Sequence, residues 1–281
     1  NSMTLESFIN PFKAVKHPWV MFFVGAVYAT IAMFLAAIIF KDHSSLIMVF
    51  LTVLAEVPLM YKTMKMEEGA DMRINDEVKL LKRHSKVIKF LLFFFLGLVV
   101  AYTFWFIALP ESVVQSLFSV QMDTIKTINS DVVGNVVSPF TVFLQIFLNN
   151  FKVLLFCLLF AFFYGAGAIF ILTWNASVIS AAMGEFIKNK LADVASVNAV
   201  HYVQAFSLGL ARYAIHGIPE IGAYFIGGLA GGIISVAMIN RDLETTHFNR
   251  IMLDSINLSL IAILILVIAA LLEVFVTPIL F

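Results

Sequence analysis

Residues 221–239 contain no charged side chain, and several other stretches of similar length are almost as apolar. About 20 apolar residues in an α-helix rise roughly 30 Å, the thickness of a bilayer's hydrocarbon core. Inside that core every backbone N–H and C=O must be paired within the protein, which leaves helices and closed barrels as spanning structures. Barrel strands read as ten-residue segments of alternating polarity. Residues 258–274 are instead solidly apolar, with Glu273 as the one charged residue. The chain is therefore expected to be an all-α, polytopic helical membrane protein forming a single transmembrane domain over residues 1–281. Only 13% of residues are charged, against roughly 25% in a soluble domain. The lipid bilayer is then its first partner. A net charge of zero lacks the basic footprint of a nucleic-acid binder. The single cysteine, Cys157, lies in an apolar run and cannot close an internal disulfide.

Along the chain, residues 4–15 suit an interfacial amphipathic helix. Spans are expected at 19–40, 44–60, 90–109 and 153–174, then 221–239 and 258–281. Residues 61–89 hold eight Lys/Arg and five Asp/Glu, so the positive-inside rule puts this helical segment, and the amino terminus with it, in the cytoplasm. Residues 110–152 would be an outer segment ending in an amphipathic or half-inserted helix, and 153–281 a helical core. Residues 185–193 and 240–257 are both polar and are expected on the cytoplasmic side. Residues 194–239 would then cross twice or form a re-entrant pair, giving six or seven spans.

His216-Gly-Ile-Pro-Glu220 sets an imidazole and a carboxylate beside a helix-breaking proline, between two apolar segments. Ionisable groups at membrane depth are costly and usually face a bundle interior or a working site. Pro219 favours a turn, with Glu220 in the first turn of the helix that follows. In that position the carboxylate is either a helix cap, with His216 bonded to a carbonyl, or part of a proton or cation site. Glu56 and Glu273 also lie in apolar context, each near a proline, and Arg212 lies one turn before His216. The five residues His216, Glu220, Glu273, Glu56 and Arg212 are the candidate buried polar or ion site. A structural ion pair of Arg212 with Glu220 or Glu273 competes with transport as the explanation. Gly227/Gly231 and Gly228/Gly232 stand at the spacing of close helix contacts, within the chain or across a homodimer. No His-Glu-x-x-His or Gly-x-Ser-x-Gly run occurs, so neither hydrolase class is signalled. The chain is not expected to be an enzyme, no cofactor is implied, and a metal is left open.

The second half resembles the stage II sporulation protein M family of integral membrane proteins over about residues 139–281. The resemblance rests on Asn149-Asn150 before an apolar helix, on Asn175, on His216-Gly217 with Pro219 and Glu220, and on Glu273 with Thr277-Pro278. It implies a helical membrane fold in the cell membrane. It also implies the role of its namesake, a scaffold that assembles membrane protein partners. The alternative reading of the residues is a cation or proton transporter or channel using the buried Glu and His side chains at broken helices.

Overall fold

The computed structural model describes residues 17–71, 77–133, 138–164, 168–192, 194, 198–239 and 246–280. The interfacial helix expected at residues 4–15 lies outside them. Ten α-helices follow in order among the described residues: α1 (Val20–Ile39), α2 (Ser44–Asp71), α3 (Glu77–Ala108), α4 (Glu111–Leu117), α5 (Ser119–Val133), α6 (Pro139–Tyr164), α7 (Ala168–Ala192), α8 (Ala199–Ile239), α9 (Thr246–Leu271) and α10 (Thr277–Leu280). A 3-10 turn, Lys41–His43, links α1 to α2, and a π-helical turn, Leu272–Val276, joins α9 to α10. Seven of these helical segments are long and apolar enough to cross a membrane, the upper of the two expected counts.

Two close helix pairs organise the bundle. On one side α1 crosses α3 backbone to backbone: a Cβ at Gly25 would collide with the Phe94 carbonyl, and one at Gly97 with the Phe22 carbonyl. On the other side α8 packs against α6 and α9. A Cβ at Gly227 would strike the Leu154 side chain, and one at Gly231 the Leu158 carbonyl. Gly228 lies against Ala168, and Gly232 is buried in the same helix. The expected small-residue contact is therefore made within the chain, where it lets backbones approach closely. Between the two pairs runs α7, which packs on α3 and α8. Large side chains such as Tyr102, Phe94, Phe118, Tyr224 and Phe225 fill the interior.

Several boundaries differ from those expected. Of residues 61–89, the described 61–71 and 77–89 are continuations of the spans α2 and α3. Asn149-Asn150 sit inside one continuous helix from Pro139 to Tyr164, so the half-inserted helix is the first half of a span. The expected 153–174 span is divided between α6 and α7. The reason is that hydropathy does not mark a helix end. Two asparagines within a long apolar helix cost little propensity when one of them, Asn150, is 7% exposed and has a polar neighbour. The glycines at 165 and 167 are costlier to a helix.

The largest difference is at His216-Gly-Ile-Pro-Glu220. No turn exists there: Ala199–Ile239 is one 41-residue helix with Pro219 inside it. A proline removes one N–H and frees the carbonyl four residues earlier, here that of Ile215. Membrane helices tolerate this when neighbouring protein re-satisfies the backbone. One crossing instead of two reverses the sidedness of residues 185–192. Lys188 Nζ lies 2.9 Å from Glu111 Oε2 and stands over the Phe106 ring. It therefore shares the face of the α4 segment, opposite the basic ends of α2 and α3. Hydrogen-bonding to Lys188, and then its charge, hold the exposed Glu111 carboxyl below the usual carboxylate range.

Candidate functional site

Glu56, Asn150 and Glu220 each lie near the middle of their spans, Ser44–Glu67, Pro139–Phe163 and Ala199–Ser235. Continuity through Pro219 puts His216 and Glu220, four apart, on one helical face. Glu220 accepts a hydrogen bond from the Tyr224 hydroxyl at 2.8 Å, one turn further along the same face. Asn150 of α6 is buried, and the π-helical turn that carries Glu273 packs against both α6 and α8.

The π-helical turn explains how Glu273 arrives there. A π turn inserts an extra residue, shifts the helical register and is frequent at functional sites. Its five residues are Leu272–Val276, and Glu273 is the second. The Glu273 carboxylate is half-buried and makes no hydrogen bond or ion pair among the described residues. Thr277 follows the turn and donates to the Leu272 carbonyl at 3.2 Å, a five-residue span. His216 Nδ1 lies 3.2 Å from Thr277 Oγ1. Because the threonine proton is already committed to Leu272, the imidazole donates from Nδ1, and Nε2 is left as an acceptor. Tyr213 stands beside the His216 ring, 6.4 Å between centroids.

His216 is thus joined to Thr277, Glu220 stands one turn further along α8 with Tyr224, and the turn carrying Glu273 packs on the same helix. Two proposed members do not join. The Arg212 guanidinium lies over the Phe186 ring at 5.2 Å and pairs with neither Glu220 nor Glu273. The expected ion pair is corrected accordingly: one turn before His216, Arg212 finds an aromatic face on α7, where cation–π attraction replaces the salt bridge. Glu56 stands apart. It is 1% exposed, and its Oε2 meets Thr173 Oγ1 at 2.8 Å, while Oε1 has no partner. Thr173 also donates to the Ile169 carbonyl at 2.8 Å. One hydroxyl carries one proton, so both short contacts are met together when Glu56 is a neutral acid donating to Thr173. Among the other motif residues, Asn175 donates to the Ile171 carbonyl of its own helix, while Asn149 is exposed. Gly217 faces a groove discussed below, and Pro278 lies in α10, exposed.

A second polar cluster, near one end of the spans, was not anticipated. Glu67 of α2 is fully buried. Arg83 Nε donates to its Oε1 at 3.0 Å and Arg83 Nη2 to the Met66 carbonyl at 3.3 Å. His84 Nδ1 lies 2.8 Å from Glu67 Oε2, and Nε2 lies 3.1 Å from Asp254 Oδ2 on α9. A ring with a carboxylate oxygen at each nitrogen donates to both only when doubly protonated. Two acids and two bases then sum to zero and tie α2, α3 and α9 together. The available signal was helical spacing: His84 stands one turn before Val87 and two before Leu91, on the stripe that buries Phe94 and Leu98.

The model of the family described as "Stage II sporulation protein M" matches residues 89–278. The chain belongs to the SpoIIM family. The match begins at 89, fifty residues before the resemblance recognised in the sequence, and takes in the membrane part of α3. It includes His216, Glu220 and Glu273 and leaves out Glu56, Glu67 and His84. No curated protein and no solved structure gives a significant match. Among the described residues no group of three or more His, Cys, Asp or Glu side chains is arranged to hold a metal ion.

Proposed function

We propose that this SpoIIM-family membrane protein takes up a proton or a small monovalent cation at the mid-membrane acid pair Glu220–Glu273. The supporting observation is that two half-buried carboxyl groups stand on packed helical elements, and neither is ion-paired among the described residues. Two carboxylates at close quarters in apolar surroundings repel, and the cost is relieved by a shared proton or a bound cation. Asn150 is buried on α6, and His216 stands one turn before Glu220 on the same face of α8. The lack of a three-ligand acidic or imidazole cluster among the described residues disfavours a transition metal. The helix is continuous through Pro219, so the ligands would come from side chains and one free carbonyl instead of from broken half-helices.

In liposomes loaded with a pH-sensitive dye, wild-type protein should dissipate an imposed proton or Na⁺ gradient, and Glu220→Gln should abolish the flux. Absence of flux under every gradient, with no Glu220-dependent cation binding in detergent, would sink the proposal. Under the positive-inside rule we assign the basic ends of α2 and α3 to the cytoplasm of a cell-membrane protein.

A second reading, assembly of membrane protein partners or a homodimer, is favoured by α6. Only 22% of its best membrane window is buried. Phe140, Phe143, Phe147 and Phe151 stack along it at 6.0–6.4 Å. Such a ladder packs against another helix as readily as against lipid. Cysteine cross-linking at Phe140 in native membranes should give a discrete product if this face binds a partner. A lipid-only face gives none.

A further inference from the structure

A groove of about 350 Å³ opens between α3, α7 and α8. Its walls are apolar: Leu92, Phe93 and Leu96 of α3, Ile179 and Met183 of α7, and Leu210, Ala214, Gly217 and Ile218 of α8. Its single charged lining residue is Lys89. Along α3 the lining runs from Lys89 to Val99, a rise of about 15 Å at 1.5 Å per residue, and it continues past that level to Met183 of α7 and Leu210 of α8. Val99 meets Ser180, near the centre of the Ala168–Ala192 span, so the Lys89 end lies toward the membrane surface.

Charge complementarity fixes the occupant. Lys82, Lys86 and Lys89 recur at four and three residues and so share one helix face. All three are exposed, and none is ion-paired among the described residues. Their stripe leads from the basic helix end down to the mouth of an apolar slot that reaches the middle of the span. We infer that the groove seats one acyl chain of an anionic phospholipid, whose phosphate is held by Lys89 and, above it, Lys86. A free phosphate lacks the chain the groove is shaped for, and a zwitterionic lipid lacks the net charge that the lysines attract. Gly217 is what keeps the slot open: a Cβ there would meet nothing within 4 Å, so a larger side chain would project into the groove without moving the backbone.

The test uses the full chain, purified in detergent and incubated with equimolar phosphatidylglycerol and phosphatidylcholine, with retained lipids counted by native mass spectrometry. Wild type should retain one phosphatidylglycerol per chain, favoured over phosphatidylcholine by about fivefold for each engaged lysine. Lys89→Gln should retain a lipid but lose most of that preference, and excess glycerol phosphate should not displace it. Gly217→Leu should lose the retained lipid while eluting and melting as wild type. Ala214→Leu serves as a second block if Gly217→Leu fails to fold. Equal retention of the two lipids by wild type, or undiminished retention by both blocked variants, overturns the inference.

Discussion

The two polar clusters use the same residue types to opposite ends. At the basic ends of the helices, Glu67 and Asp254 meet Arg83 and His84, and each carboxylate has a cationic partner. At mid-membrane, Glu220 accepts from Tyr224, Glu273 has no hydrogen-bond or ion-pair partner among the described residues, and Arg212 lies over Phe186. The first arrangement joins three helices through acids paired with bases. The second is open. The acids at one level are ion-paired, and those at the other are not among the described residues.

The same substitution at each place separates them. Glu67→Gln leaves Arg83 and His84 facing a neutral amide. Breaking a buried pair costs ~3–5 kcal/mol, so we expect the largest loss here, read as an earlier unfolding midpoint in a denaturant titration in bicelles. Glu220→Gln and Glu273→Gln should shift that midpoint by no more than about 1 kcal/mol, because Tyr224 can donate equally to an amide oxygen. If Glu220→Gln costs as much as Glu67→Gln, the contrast fails and the mid-membrane pair is structural. Glu56→Leu should fall within about 1 kcal/mol, since Thr173 keeps its bond to Ile169 and the unpaired Oε1 is removed. A loss beyond about 3 kcal/mol would show that Glu56 is a connected polar group. The smallest effect belongs to Glu111–Lys188. Its carboxyl is held low when folded, so the pair's contribution is full above the ordinary carboxylate range and fades as pH falls through the lowered value. Glu111→Gln should flatten that part of a pH–stability profile. More informatively, cysteines placed at 111 and 188 should cross-link to each other.

The helical membrane class was legible in the apolar runs because bilayer thickness imposes a length that no soluble fold requires. Helix ends were less so. Pro219 resembles a turn in a sequence, yet a helix packed on both sides by α6 and α9 holds its course through one missing hydrogen bond. That error carried sidedness with it, since two crossings instead of one put Lys188 on the wrong face. Within the site, His216, Glu220 and Glu273 could be chosen because charge stands out against an apolar background. Arg212 stood out in the same way, but only three-dimensional placement reveals an aromatic partner on another helix. Glu67, His84 and Asp254 failed for the converse reason: within and beside charged segments, three more ionisable residues carry no contrast.

The length of α8 has a mechanical consequence. Its 41 residues rise about 60 Å, and the 33-residue segment Phe248–Leu280 beside it about 50 Å, against a hydrocarbon core of ~30 Å. The pair is pinned at two levels, by Ser255 to the Ala230 carbonyl and by His216 to Thr277. Overlong helices accommodate by tilting or by thickening the surrounding bilayer. Fastened together in this way, these two tilt as one body. A change in lipid chain length would therefore alter the tilt of the two helices together, while leaving the His216–Thr277 contact unchanged.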